Sequence, residues 1–276
     1  MKRILTAVVA LPIILFTVWT STPYYFVTLT AIAVLLALGE FYSLAAKARC
    51  KPQTVTGFCA ALVIIASFIF EEPRLSIGAL ISLAIAALVV EVMRKNELKD
   101  SLASVSATVF GVVYVALLAG CLAGVRMIPD SRAATPVPHL SSKALTMFFA
   151  MVMLTDTGAY YTGRTIGRHK LAPRISPGKT IEGAIGGFVM AAVAGYLSKL
   201  IFFPEIPTAH CLILGAVIGV VGQIGDLSES LLKRGSNVKD SGNLLPGHGG
   251  MLDRIDSILF SAPVLYYYFG LFFASP

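Results

Sequence analysis

Residues 212–256 read LILGAVIGVVGQIGDLSESLLKRGSNVKDSGNLLPGHGGMLDRID, and this stretch decides the fold. Its opening run, 212–227, is almost wholly apolar and reads as a helix in hydrocarbon. The part from Asp226 to Asp256 is densely polar. It holds Asp226, Glu229, Asp240, Asp253 and Asp256 beside Lys233, Arg234, Lys239 and Arg254, with His248 between glycines. Aspartates hold divalent metal, and Lys and Arg hold phosphate oxygens, so this density of both signs suggests a metal and a polyphosphate handled together.

The rest of the chain agrees with the apolar run. Of the 276 residues, 56% are hydrophobic and 13% charged, against about 25% charged in a soluble domain. Several runs approach or exceed the roughly 18 residues that mark a membrane helix. The expectation is an all-α polytopic integral membrane protein with about nine transmembrane helices in a single membrane domain, 1–276. Residues 1–140 carry little motif content, and 144–276 hold the catalytic helices and loops. The net charge of +7 then belongs to loops that face anionic membrane lipid, not to nucleic-acid binding. Cys50, Cys59, Cys121 and Cys211 form no CxxC pair and read as small buried hydrophobes.

The predicted helices are 4–20, 25–44, 57–70, 75–93, 102–124, one that starts near Ala144 and runs into Asp156-Thr157, then 181–203, 212–227 and 255–273. Met1-Lys2-Arg3 before the first run resembles a signal peptide. No A-x-A-like site follows it and Ser21-Thr22-Pro23 reads as a turn, so a retained helix is expected. An odd helix count puts the termini on opposite sides. Of the 22 Lys and Arg, Arg74, Arg126, Arg132 and Lys143 fall on one side, Lys199 inside a helix, and the rest on the other. The richer side is expected to be cytoplasmic, placing the active site there in a multi-pass protein of the inner (plasma) membrane.

Asp253 and Asp256 are three apart on one helix face, as are Asp226 and Glu229. Metal ligation explains them, and so does an ordinary acid at a helix start. The second reading fits poorly an Asp226 that ends an apolar run, where ionisable groups are costly. Gly247, Gly249 and Gly250 would let backbone N–H groups approach an anion, helped by the helix start beyond. His248 could donate to a phosphate or be structural. In Ser176-Pro177-Gly178-Lys179-Thr180-Ile181-Glu182-Gly183, the P-loop pattern fails because its first glycine would fall at Pro173. Thr180 is expected to cap the next helix with Glu182 in its first turn. Lys179 can reach a phosphate or belong to a solvated basic loop. Gly183-xxx-Gly187 and Gly215-xxx-Gly219 suggest close packing within the chain or across a homodimer.

The run from Ser230-x-x-Lys233-Arg234 through Lys239-Asp240 to Pro246-Gly247-His248-Gly249-Gly250-x-x-Asp253-Arg254-x-Asp256 resembles the signature of the phosphatidate cytidylyltransferases. Asp226, the Asp156-Thr157 pair and the 176–183 segment also look like family positions. The resemblance implies that CTP and phosphatidate give CDP-diacylglycerol and pyrophosphate with Mg²⁺. Asp226, Asp253 and Asp256 would hold metal. Lys233, Arg234, Lys239, Arg254 and Lys179 would bind phosphate, with Asp240 and His248 in the catalytic set and Ser176, Thr180, Glu182, Gly249 and Gly250 near substrate. Other readings are a different membrane phosphotransferase, whose DGxxAR motif is absent here, a transporter, or a structural membrane protein.

Overall fold

The computed structural model describes residues 2–94, 97–132, 137–242 and 249–272. The helices in chain order are α1 Lys2–Trp19, α2 Tyr24–Lys47, α3 Thr54–Ile69, α4 Pro73–Met93, α5 Leu98–Gly111, α6 Leu118–Met127, α7 Leu140–Ile166, α8 Ile181–Ile201, α9 Thr208–Gly235 and α10 Leu252–Phe272. A π-helical turn, Val112–Leu117, joins α5 and α6 into one run. A short antiparallel hairpin, β1 Lys170–Ala172 with β2 Ser176–Thr180, precedes α8. The protein is an all-α membrane protein apart from that hairpin. Six stretches are long and apolar enough to cross a bilayer, by length and composition among the described residues: α2, α4, the α5–α6 run, α8, α9 and α10. That is fewer than the nine spans expected. One reason is plain in α3, whose 16 residues reach about 24 Å against a hydrocarbon core about 30 Å thick. On α4, Ile77, Ile81, Ile85, Leu88 and Val92 are all exposed. A stripe of this kind is stable where the solvent is lipid.

Among the helix ends that differ from the sequence expectation, three bear on the polar segments. α9 runs two turns past 227, through Ser228–Arg234, because Leu, Glu, Lys and Arg are good helix formers and polarity alone does not end a helix. α7 continues to Ile166, so Asp156, Thr157 and Arg164 are helical. α10 starts at Leu252, which puts Asp253 in its first turn.

The chain divides into two units. One is Met1–Thr17, Thr22–Gly124 and Leu232–Ile255; the other is Val18–Ser21, Val125–Leu231 and Asp256–Pro276. In the first, the buried Tyr42 hydroxyl donates to the Thr108 carbonyl at 2.9 Å, and the Gln53 amide donates to the Ala87 carbonyl at 2.8 Å and Glu91 Oε2 at 3.2 Å. Gly57 faces Tyr42 so closely that a Cβ would lie 1.9 Å from its oxygen. Gly57→Ala is therefore expected to destabilise the protein by about 1–3 kcal/mol, the usual cost of overpacking. Thermal unfolding in detergent measures it, and an unchanged midpoint would show that Tyr42 yields freely.

In the second unit, small residues bring helix backbones together. A Cβ on Gly183 would lie 2.8 Å from the Ala159 carbonyl, and one on Gly215 would lie 2.6 Å from the Ala191 carbonyl. Both Gly-xxx-Gly pairs are thus used inside the chain, against α7 and α8 respectively. Lys199 folds over the end of α8, donating to the Ile206 carbonyl at 2.6 Å. Lys143 pairs with Glu205 at 2.7 Å. Burial raises the Glu205 carboxyl, but the hydrogen bond from Lys143, a backbone hydrogen bond and the charge of Lys143 together outweigh it and leave the group below its ordinary range.

Candidate active site

The polar stretch begins inside α9. Asp226, Glu229 and Lys233 recur at helical spacing, and Glu229 is fully buried. The helix ends by a hydrogen-bonded turn: Asn237 takes a left-handed φ of 55°, and Val238 N donates back to the Lys233 carbonyl at 3.0 Å. This is the closing bond of a Schellman motif, which Asn tolerates. Arg234 Nη1 donates to the Val238 carbonyl at 3.2 Å. Lys239 and Asp240 follow and are exposed.

In the first unit, Asp253 is the centre of a closed network. Its Oδ1 lies 2.6 Å from Lys233 Nζ, and the two side chains are 6% and 12% exposed. Its Oδ2 accepts from Ser241 N at 3.0 Å and Gly250 N at 2.8 Å, and shares with Glu40 the single proton of Ser241 Oγ, 3.0 Å away. Gly249 has φ 79°, and a Cβ there would sit 2.5 Å from Asp253 Oδ2, so this turn requires glycine. Glu40 completes the helix start. It accepts from Met251 N at 2.9 Å and Leu252 N at 2.8 Å. Of the amides expected to cradle a phosphate, that of Gly250 donates to Asp253, and the next two, of Met251 and Leu252, donate to Glu40. The anions at this helix start, Asp253 and Glu40, are supplied by the protein.

In the second unit, Lys179 Nζ lies 2.6 Å from Asp226 Oδ2 with both side chains half-buried. Lys179 sits at the end of β2, and Thr180 Oγ1 accepts from Gly183 N at 3.1 Å, the expected cap of α8. Glu182 reaches back to the hairpin, accepting from Arg168 N at 3.1 Å and meeting His169 Nδ1 at 2.6 Å. It is thus a brace for the segment that carries Ser176 and Lys179. Asp256 Oδ1 accepts from its neighbour Ser257 N at 2.6 Å. Gly225 brings α9 against α10, since a Cβ on it would lie 2.7 Å from the Asp256 carbonyl. Asp226 and Asp256 thus project from neighbouring backbone positions of facing helices. Arg254 is exposed. His248, with Pro246 and Gly247, lies outside the described residues.

Residues 1–272 match the family described as the cytidylyltransferase family. The chain belongs to that family. Among curated proteins, the phosphatidate cytidylyltransferase of Bacillus subtilis is 48% identical over 139 residues, 49% of this chain and 52% of that protein. YnbB of Escherichia coli, which carries no functional name, is 42% identical over 135 residues, 48% of this chain and 45% of its own length. The phosphatidate cytidylyltransferase of Brucella suis is 47% identical over 136 residues, 48% of each chain. The chain spans about half the length of the curated relatives it matches.

As a cytidylyltransferase-family site, the arrangement fits a divalent metal in part. Among the described residues no group of three or more His, Cys, Asp and Glu side chains could hold an ion. Mg²⁺ does not need one, since it keeps several waters and is commonly held by one or two carboxylates and substrate phosphates. Asp226 and Asp256 suit that donor set. Asp253 carries Lys233 and donors from Ser241 and Gly250 on its oxygens. Glu40 went unnoticed in the sequence. The one available signal was an acid inside the apolar run of α2, where charge is costly.

Proposed function

We propose that this member of the cytidylyltransferase family transfers a cytidylyl group from CTP to phosphatidate, giving CDP-diacylglycerol and pyrophosphate in phospholipid biosynthesis. One observation carries the reading: two lysines are each held on an aspartate, Lys179 on Asp226 and Lys233 on Asp253, at polar ends of apolar helices. An ammonium has three protons, so Lys179, paired with Asp226 through one, keeps two for phosphate oxygens. Pairing positions the cation without consuming it. The names of the matched relatives point to the same substrates.

The chemistry asks for position and charge, not for a strong base. A phosphatidate oxygen, already ionised at neutral pH, bonds to the α-phosphorus of CTP, and the bond from that phosphorus to the bridging oxygen breaks as pyrophosphate leaves. Lys179, Lys233, Arg234, Lys239 and Arg254 are the cations assigned to the phosphates. Mg²⁺, held by Asp226 and Asp256, would neutralise charge on the phosphates when bound. We assign nine spans, with α1, α3 and α7 added to the six apolar enough by themselves, and the polar segments facing the cytoplasm. The Lys and Arg bias supports that orientation.

The test is turnover by purified protein with phosphatidate, each of four nucleoside triphosphates in turn, and Mg²⁺ present or chelated. CTP alone should support formation of the liponucleotide, and chelation should abolish it. Equal turnover with ATP, or no product with CTP and Mg²⁺, overturns the reading.

A further inference from the structure

α2 carries one acid in its 24 residues, Glu40, between Gly39 and Phe41. An acid in such a run is stable when its oxygens are filled by donors. The donors here come from 201 to 212 residues away. They are the Ser241 hydroxyl at 2.9 Å, Met251 N at 2.9 Å and Leu252 N at 2.8 Å, all within one unit. The surrounding residues leave room for the carboxylate. A Cβ on Gly250 would lie 2.2 Å from Glu40 Oε2, and one on Gly242 would lie 2.6 Å from Oε1.

These contacts do more than satisfy a buried acid. α10 has Met251 before its first residue, a side chain with no oxygen to cap the orphan amides of the first turn. Glu40 caps it from another helix. It also holds Ser241, so it ties together both ends of the segment between 241 and 251. Ser241 Oγ is in turn 3.0 Å from Asp253 Oδ2. The start of α10, with Asp253 and Arg254, is therefore set by α2.

We infer that Glu40 is a positioning residue: from α2 it caps α10 and fixes where Asp253 and Arg254 stand. It touches no substrate in this role. Glutamine at 40 would keep the size but turn an amide N–H₂ toward backbone N–H donors, which have nothing to give to it.

The turnover arm of the test rests on the cytidylyltransferase reading; the exchange arm does not. Glu40→Gln and the control Ser43→Ala, on the same helix, are compared with the parent by amide hydrogen exchange and steady-state kinetics. In Glu40→Gln, Met251 and Leu252 should exchange faster while α3 and α4 keep parental protection. The kcat should fall by about 10- to 100-fold, the scale of a lost hydrogen bond to a charged group, with little change in KM for CTP. Ser241→Ala added to Glu40→Gln should cost less than the two singly, because they share one network. Parental exchange at Met251 and Leu252, parental kcat, or faster exchange spread equally through α2, α3 and α4 overturns the proposal. A parent that turns over no CTP refutes the functional reading alone, and the exchange result then decides whether Glu40 holds α10.

Discussion

Asp226→Asn should turn over about 10³-fold more slowly than the parent, a loss of about 4 kcal/mol of transition-state stabilisation, at parental expression and membrane insertion. The substitution keeps the shape of the side chain and removes its charge. Two things follow from that one change. A carboxylate assigned to Mg²⁺ is lost, and Lys179, held 2.6 Å from Asp226, loses its anchor. Lys179→Ala removes the anchored cation only and should cost less, about 10- to 150-fold for one charged hydrogen bond. Steady-state turnover with Mg²⁺ varied separates the two, since Asp226→Asn should shift the Mg²⁺ requirement and Lys179→Ala should leave it near the parental one. Parental turnover of Asp226→Asn at saturating Mg²⁺ would remove Asp226 from the site.

The second large effect falls on stability. Lys233→Ala should lower the unfolding free energy by about 3–5 kcal/mol, because it strands the carboxylate of Asp253 in a site with 6% exposure. Its remaining donors, from Ser241 and Gly250, hydrogen-bond that charge but do not cancel it. Removing the charge as well, in Lys233→Ala with Asp253→Asn, should recover part of the loss, since asparagine still offers an oxygen to the same amides. Thermal unfolding of parent, single and double variants in one detergent measures this. A double variant less stable than Lys233→Ala would show that Asp253 is held by its backbone donors and that the ammonium contributes through phosphate alone.

What a reader of the sequence could see follows the range of the physics involved. Hydrocarbon solvation acts on runs of residues, so the helices of α2, α4, α8, α9 and α10 are visible as apolar stretches. Capping acts over three residues, so Thr180 and Gly183 could be paired from the sequence alone. The signature from Ser230 to Asp256 is ordered and long, and it pointed to the family that the match over 1–272 shows. Glycine spacing on α8 and α9 foretold close packing, although not which helices would meet it.

The tertiary structure decided how each charge is used. α9 keeps its helix through Glu229 and Lys233, because tertiary burial of Glu229 and local propensity together outweigh the polarity that reads as a loop. Lys179 and Asp226 are 47 positions apart by their numbers, and only the packing of the second unit makes them a pair. Asp253 looked like a metal ligand by its spacing from Asp256. In the fold its oxygens meet Lys233, Ser241 and Gly250, donors from three separate stretches of backbone. Glu40 is the plainest case. Its sequence neighbours are apolar, and its partners lie beyond residue 240, so no local pattern could assign them. Residue type and spacing limit what a side chain can do; which donors surround a carboxylate is settled only when distant segments pack against it.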